Sequence, residues 1–450
     1  MTYNEWQDAD GRIRDHYAPL AHTVEELGAD ELGRRWDDAA RQVSLDAFTF
    51  YLDPKRFRPT PADWIPRIVP PDHWQRIAAG VAQRLKAINR FLVDLYGGGQ
   101  DIVPDDVVYT SRHFYPEVQG FRPPRDLFVH IYGVDLVHLG DGRYVVLEDN
   151  LRIPSGISYQ LKTVEIASRV VPELASSYDI TPYAIRDAYL QMFRSLCDSP
   201  SPACVLLTDG RYGSAFFEHR YLSDLLGIPL VEGADLYVGH DGRVYARTLD
   251  GDYAVDVVYR RVEDLELFVP GLREAYLDNR VVLVNGIGTG VGDDKLVFLW
   301  VPDMIERYLA EPPVLAQAES YNLQDGEQRR YVLANLERLV IKARGGYGGI
   351  GVFVMPDLGP AYKTRVAHGI LENPEMFIAQ EALDFSRHVV LNERTGMLEP
   401  RHVDLRVFAI QGADGEVTVF PGGLTRVALE GGRITNNSSG GLCKPTWVLS

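Results

Sequence analysis

A chain of 450 residues with a formal charge of −17, 46% hydrophobic and 24% charged, is long enough for two or three coupled domains. That negative balance argues against a protein that coats nucleic-acid phosphates, which needs Lys and Arg in excess, and the apolar content leaves little room for extended disorder. Three scattered cysteines, Cys197, Cys204 and Cys443, make neither a disulfide framework nor a zinc cage and read as reduced thiols. The first residues hold no apolar signal core and no run approaches a membrane span, so the cytoplasm is the expected address, with no membrane partner.

In chain order, residues 24–42 have helical spacing and many charges, as a surface helix would. A Pro-rich connector follows over 50–74, where repeated X-Pro steps force an extended path and the aromatic residues predict a strap lying on the body. Residues 72–96 predict the clearest helix: Trp74, Ile77, Val81, Leu85, Ile88, Phe91, Leu92 and Leu95 recur at three- and four-residue steps, and Gly97–Gly99 stop it. Two alternating segments, 127–139 and 143–150, joined by Gly-Asp-Gly, predict a β-hairpin. Residues 203–239 read strand, loop, helix, strand, strand in the manner of an α/β unit, followed by strands at 255–260 and 281–284. A helix is expected beyond Val297, then a second hairpin at 338–355 and strands near 375–380, 403–410 and 417–423. The predicted organisation is 1–71 as a helical and Pro-rich strap, 72–200 as a helix plus hairpin, 201–280 as an α/β unit, and 281–450 as two further lobes. The fold class is α+β.

The first hairpin carries the most chemistry. With Asp141-Gly142 as a two-residue turn, Asp135 lies directly opposite Glu148, and Asn150, two residues on, points to the same face. Only an odd loop length would separate the two acids. Like charges across a strand pair repel, and neither has a basic partner nearby in sequence. A divalent cation carried with nucleotide phosphates would resolve the conflict; the alternative is that one carboxylate faces solvent or meets a distant Arg. Arg152 and a Pro-Ser-Gly turn follow at once, and such a loop can present backbone N–H groups and a guanidinium to an anion, or can be a simple chain reversal.

Two glycine loops are each tied to a lysine. The first, 284–295, has four glycines at alternate positions and ends on Lys295; alone it is a weak signal. In the second, Lys342 sits in an apolar strand before Gly345, Gly346, Gly348, Gly349 and Gly351. It is not a Walker A loop, because it lacks GK[ST] and leads into a strand. A glycine flap joining two strands can fold over triphosphate oxygens with Lys342 pairing a phosphate; an exposed hairpin with an edge lysine is the alternative. Beyond it, the strand edge at Gln380 and Glu381 could meet an adenine amino group, and Asp404, Arg406 and Arg426 place charges in apolar strands, for a ligand or for one another.

Taken in order, VVLEDNLRIPSGISY, TDGRYGSAFFEHRYLSDLLGIPLVEGADL, VDVVYRR, VNGIGTGVGDDK with VPDMI, VIKARGGYGGIGV and the terminal SSGGLCKPTWVL resemble the circularly permuted ATP-grasp family that includes glutathionylspermidine synthase-like carboxylate–amine ligases. The resemblance spans about residues 50–450 and implies two α+β lobes gripping ATP, with Mg²⁺ on Glu148, Asn150 and, less securely, Asp135. It implies that Lys295 and Lys342 bind phosphates, that 345–351 form a mobile loop, that Gln380, Glu381 and Arg406 belong to the nucleotide site, and that Arg152 and Arg426 approach the phosphates or the acyl group. Gly133 stands where those relatives can carry an Arg, and no amidase domain is recognisable, so their substrates do not transfer. The implied activity is ATP-dependent amide formation between a small-molecule or peptide carboxylate and an amine through an acyl phosphate. A phosphotransferase, or a silent nucleotide-binding scaffold with an operon-encoded partner protein, is the competing expectation. His219 reads as a helix-face or substrate-side residue and not as a base.

Overall fold

The computed structural model describes residues 2–49, 59–173, 178–179, 184–263, 265–346, 351–392, 395–436 and 440–450. Three sheets organise them. The largest has the order Ala316–Gln317, Tyr144–Asn150, Ile131–His138, Met397–Gln411, Leu424–Val427, Leu442–Lys444, with Arg387–Asn392 and Val417–Val419 also pairing to the long strand. Ile131–His138 is buried at every position, as a strand with neighbours on both sides and layers on both faces must be. A second, antiparallel sheet orders Ser320–Asn322, Phe377–Glu381, Leu339–Ala343 and Val352–Val354, and has its own small core built on Leu323, Leu339, Ile341, Met355 and Ile370. A third, parallel sheet orders Val282–Val284, Val257–Arg260, Cys204–Leu207 and Leu230–Val231, with the crossover helix Phe216–Leu226 between its last two strands.

The periodic segment at 72–96 forms the helix Pro71–Gly97, ended by Gly98 in the left-handed conformation. At Gly80 the helix comes so close to Leu315 that an added Cβ would lie 2.4 Å from its Cγ. The surface helix extends over Ala18–Leu45, with a non-helical break at Gly28. Helices at Ile157–Val170, Ile185–Leu196, Gly326–Ala334 and Pro360–Glu372 were not anticipated. Nor was the pairing of the C-terminal strand Thr446–Val448, parallel to Arg67–Val69 at the end of the Pro-rich connector. The parallel sheet draws Val282–Val284 from beyond residue 280, so that layer crosses the expected boundary there. Cys197, Cys204 and Cys443 form no disulfide, and no described helix is long and apolar enough to cross a membrane.

The N-terminal segment is locked in by buried charge. Arg67 donates to both oxygens of Glu5 at 2.7 and 2.6 Å and to the Asp404 carbonyl at 3.1 Å, while Ser386 donates to Glu5 at 2.6 Å and His138 Nδ1 lies 3.0 Å from it. Burial alone would raise the Glu5 pKa, but Arg67 and His138 outweigh it and hold the carboxyl well below its ordinary 4.5. Removing one partner of such a pair strands the other, so Glu5→Gln should cost about 3–5 kcal/mol at neutral pH. Because the folded pKa lies below the unfolded one, the Glu5 contribution is complete above the unfolded value and is lost as pH falls toward the folded value. Denaturant titrations at falling pH should therefore show a steeper acid loss for the native chain than for E5Q; parallel curves would contradict this.

Candidate functional site

The acidic hairpin reaches its expected pairing by an unexpected route. Arg143 N–H donates to the Gly140 carbonyl at 2.9 Å, closing an Asp141-Gly142 turn in which both residues have positive φ, 49° and 71°. Leu139 N–H also reaches the Arg143 carbonyl at 2.9 Å, so the first strand gains a residue and His138 faces Tyr144. Left uncorrected, that shift would set Leu147 opposite Asp135 and turn Glu148 to the other face. A second irregularity follows: Leu136 faces Val146 but Asp135 faces Glu148, which leaves Leu147 unpaired and restores the register.

Alternation along Glu148, Asp149 and Asn150 sends the middle side chain to the opposite face. There Arg84, from the long helix, holds Asp149 through two bonds of 3.1 and 2.6 Å, and the Tyr132 hydroxyl donates to the same carboxylate. The long helix thus anchors the hairpin. Asn150 stands opposite Gly133, whose added Cβ would meet Pro154 at 3.1 Å.

Asp135 has partners after all, from far along the chain. Arg406 donates to its two oxygens at 2.6 and 2.8 Å, and Arg426 adds a bond of 2.8 Å while also gripping Asp404 at 2.9 and 2.5 Å. Register explains the arrangement, since Asp135 faces Arg406 and Asp404 faces Arg426 across adjacent strands. Burial pushes Asp135 up, but the two guanidiniums overcome it and hold the carboxyl well below its ordinary range. For Asp135 the alternative of a distant Arg is the one realised, and its oxygens orient Arg406 and Arg426.

Glu148 differs. Its carboxylate accepts no hydrogen bond among the described residues, and Lys295 and Arg406 stand 3.9 Å from it. Asn150 Nδ2 is buried without a partner among the described residues, and the two amide atoms of an Asn are interchangeable by a flip. An uncommitted carboxylate with an unsatisfied amide on one face fits a hard oxygen-seeking cation that keeps water or phosphate in its other positions. No cluster of three or more His, Cys, Asp or Glu side chains suited to a metal occurs among the described residues. Glu148 and Asn150 would thus hold magnesium together with ligands from a nucleotide.

The second sheet closes over this face. Lys342 Nζ and Gln380 Nε2 both donate to the carbonyl of the unpaired Leu147 at 3.2 Å, so the bulge joins the two sheets. Between them lies a cleft of about 800 Å³, counting the open solvent at its mouth. Its walls are Val137, Val340, Val352, Val354, Leu383 and Phe385, and its polar lining includes Asp135, Glu148, Lys342, Gln380, Glu381, Arg426, Arg433, Thr435 and Asn436. Burial pushes the Lys342 ammonium down to about 8 against the pull of Glu148. Lys295 donates to the Gly346 carbonyl at 2.6 Å, linking one glycine loop to the stem of the other. Gly345 also belongs to that stem; Gly348 and Gly349 lie outside the described residues.

Other expected residues are engaged differently. Glu381 accepts from the Tyr321 hydroxyl at 2.9 Å, with Arg338 at 3.7 Å. Arg152 is bound by Asp293 at 2.5 Å and Glu263 at 2.8 Å and is not part of the cleft lining. The turn after it does not offer its N–H groups to a ligand: Glu218 accepts from Gly156 at 2.7 Å and Ser158 at 3.2 Å, and Arg261 braces that Glu at 2.8 Å. His219 lies 2.7 Å from the Thr208 hydroxyl, with burial holding its pKa well below the ordinary value, as a structural imidazole would. The reading of the sequence passed over Arg433, Thr435 and Asn436, although Thr435 donates to Asp404 inside the cleft.

A valine-walled cleft between antiparallel strands of two sheets, with an open carboxylate below and a buried lysine above, is the ATP-grasp arrangement. The chain belongs to the circularly permuted ATP-grasp type 2 family, which it matches over residues 66–428. It is 39% identical to an uncharacterised protein of Mycobacterium tuberculosis across 100% of this chain and 84% of that protein. It is 38% identical to a Frankia alni protein provisionally named a glutamate–cysteine ligase, covering 99% of this chain but 54% of the relative. Among solved structures, a glutathione synthetase-like effector of Globodera pallida in its apo form superposes with a TM-score of 0.60 at 15% identity, over 92% of this chain and 96% of that one.

A phosphate-binding role for Lys342 predicts separable effects in Lys342→Met. Removing a buried ammonium should leave the melting temperature unchanged or higher, while affinity for ATP with magnesium falls roughly tenfold or more. Thermal unfolding and calorimetric titration read the two effects; undiminished ATP affinity would contradict the role.

Proposed function

We propose that this chain is an ATP-dependent ligase that joins a small-molecule or peptide carboxylate to an amine, releasing ADP and phosphate. The observation that carries the reading is the juxtaposition of uncommitted Glu148 with buried Lys342 in one cleft. Family membership and the ligase name of a relative support it, although that name belongs to a protein nearly twice as long.

In this reading a carboxylate oxygen bonds to the γ-phosphorus as the bond to the β–γ bridging oxygen breaks and ADP leaves. The amine then attacks the acyl carbon, phosphate departs, and the nitrogen loses its proton. Magnesium on Glu148 and Asn150 would neutralise charge on the transferring group. Lys342 and Lys295 bind and orient phosphate oxygens, the Gly345–Gly346 stem excludes water, and Arg426, fixed by Asp135 and Asp404, supplies a preoriented positive field. Arg406 acts by keeping Asp135 ionised beside it. In this scheme 1–71 is the strap, 72–200 the metal-holding layer completed by C-terminal strands, 201–280 with Val282–Val284 the substrate-side layer, and the rest of 281–450 the nucleotide lobes.

Hydroxylamine can stand in for the amine and trap the acyl phosphate as a hydroxamate. With ATP, magnesium and a panel of carboxylic acids, hydroxamate and ADP should form together and only with an acid present. ADP and a stable phosphorylated acid would instead mark a phosphotransferase, and ATP binding without turnover a scaffold. Glu148→Gln, nearly isosteric, should lower turnover roughly a hundredfold or more while the fold survives. Retained turnover would remove the metal assignment.

A further inference from the structure

Beyond Glu148, cationic side chains continue past the cleft toward the first glycine loop. From Glu148 the path runs to Lys295 at 3.9 Å and on to the Gly346 carbonyl at 2.6 Å. The adjacent Gly345 lies against Arg112, so close that a Cβ on the glycine would sit 3.0 Å from a guanidinium nitrogen. Arg112 Nε–H donates to His113 Nε2 at 3.1 Å. His113 packs on Gly290 of the first glycine loop, where an added Cβ would meet His113 Cβ at 2.6 Å and Arg152 Cδ at 2.9 Å.

The cations here are unequally committed. Arg152 is held by Asp293 and Glu263, and Arg344 by both oxygens of Asp294 at 2.8 and 2.9 Å. Arg112 is exposed and forms no ion pair with a carboxylate among the described residues. Burial and the neighbouring Arg152 push His113 down to about 4, so the imidazole is neutral and accepts one N–H without adding a competing charge. The terminal nitrogens of Arg112 remain uncommitted, a planar fork that matches a carboxylate.

We propose that Arg112 is a substrate-binding residue whose guanidinium, steadied by His113 beside Gly345, takes a second carboxylate of the acid substrate. The inference rests on the ligase reading and narrows its substrate class. The reacting carboxylate must reach the phosphoryl group near Lys295 and Lys342, so the group gripped by Arg112 beside Gly345 is another anion of the same molecule. The acceptor is then a dicarboxylate, or an amino acid or peptide with a free acid besides the reacting one.

The test compares chain-matched acids, succinate against butyrate and glutarate against valerate, in the hydroxamate assay. The native chain should favour the dicarboxylates roughly ten- to a hundredfold in kcat/KM, and Arg112→Gln should bring that ratio toward one with KM for ATP unchanged. Arg112→Lys should recover part of the preference, as a structural role would not. Native turnover with no preference for a second carboxylate, an unchanged ratio in R112Q, or an ATP KM rising in step would overturn the assignment of Arg112 alone. A native chain that makes no hydroxamate from any acid would overturn the ligase reading and this inference with it.

Discussion

Two carboxylates and two guanidiniums, Asp135, Asp404, Arg406 and Arg426, share the floor of the cleft on three adjacent strands, and the site depends on their neutralising one another. Desolvating any one of them alone would cost several kcal/mol, so each is tolerated only because its cross-strand neighbour has the opposite sign. The network runs outward: Arg406 donates to the Ser155 carbonyl at 3.2 Å, and Arg261, braced on Glu218, also binds the Ser155 hydroxyl. The floor is thus tied to the parallel-sheet layer. In the other direction Arg67 carries it to Glu5, whose neighbours close the N-terminal segment over the hairpin.

Within that saturated network Glu148 is the exception. It shares a face with Asp135 but receives cations only at 3.9 Å, so its charge is balanced at a distance and its oxygens remain available. The bulge that returns Glu148 to this face also frees the Leu147 carbonyl, which both Lys342 and Gln380 use. One backbone irregularity therefore sets the register of the acidic residues and docks the lysine-bearing sheet above them. The small lobe has a hydrophobic cluster of its own, while Ile378 packs into the main core and polar contacts to Leu147 add to its hold on the floor.

The local parts of this design were legible in the sequence. Hydrophobic alternation with Asp-Gly between the strands gave the hairpin, and the two-residue step gave the common face of Glu148 and Asn150. Glycines around Lys342 gave the strand pair above. What could not be read was set by distant neighbours. The partners of Asp135 lie 271 and 291 residues away, and no local pattern indicates them. The helix Ile157–Val170 has no capping side chain at its own N-cap; Glu218, 62 residues on, accepts its first N–H groups. The helix Gly326–Ala334 was obscured differently, because Asp325-Gly326 has the composition of a turn although Asp325 caps the helix.

The proposed function requires one nucleotide to bridge the acidic floor and the lysine sheet. A crystal structure with magnesium and a non-hydrolysable ATP analogue tests it most directly. The account predicts a metal ion on Glu148 and Asn150, phosphates against Lys342 and Lys295, and the base between the valine walls near Gln380. A nucleotide bound elsewhere, or phosphates in this cleft that touch neither lysine, would contradict it.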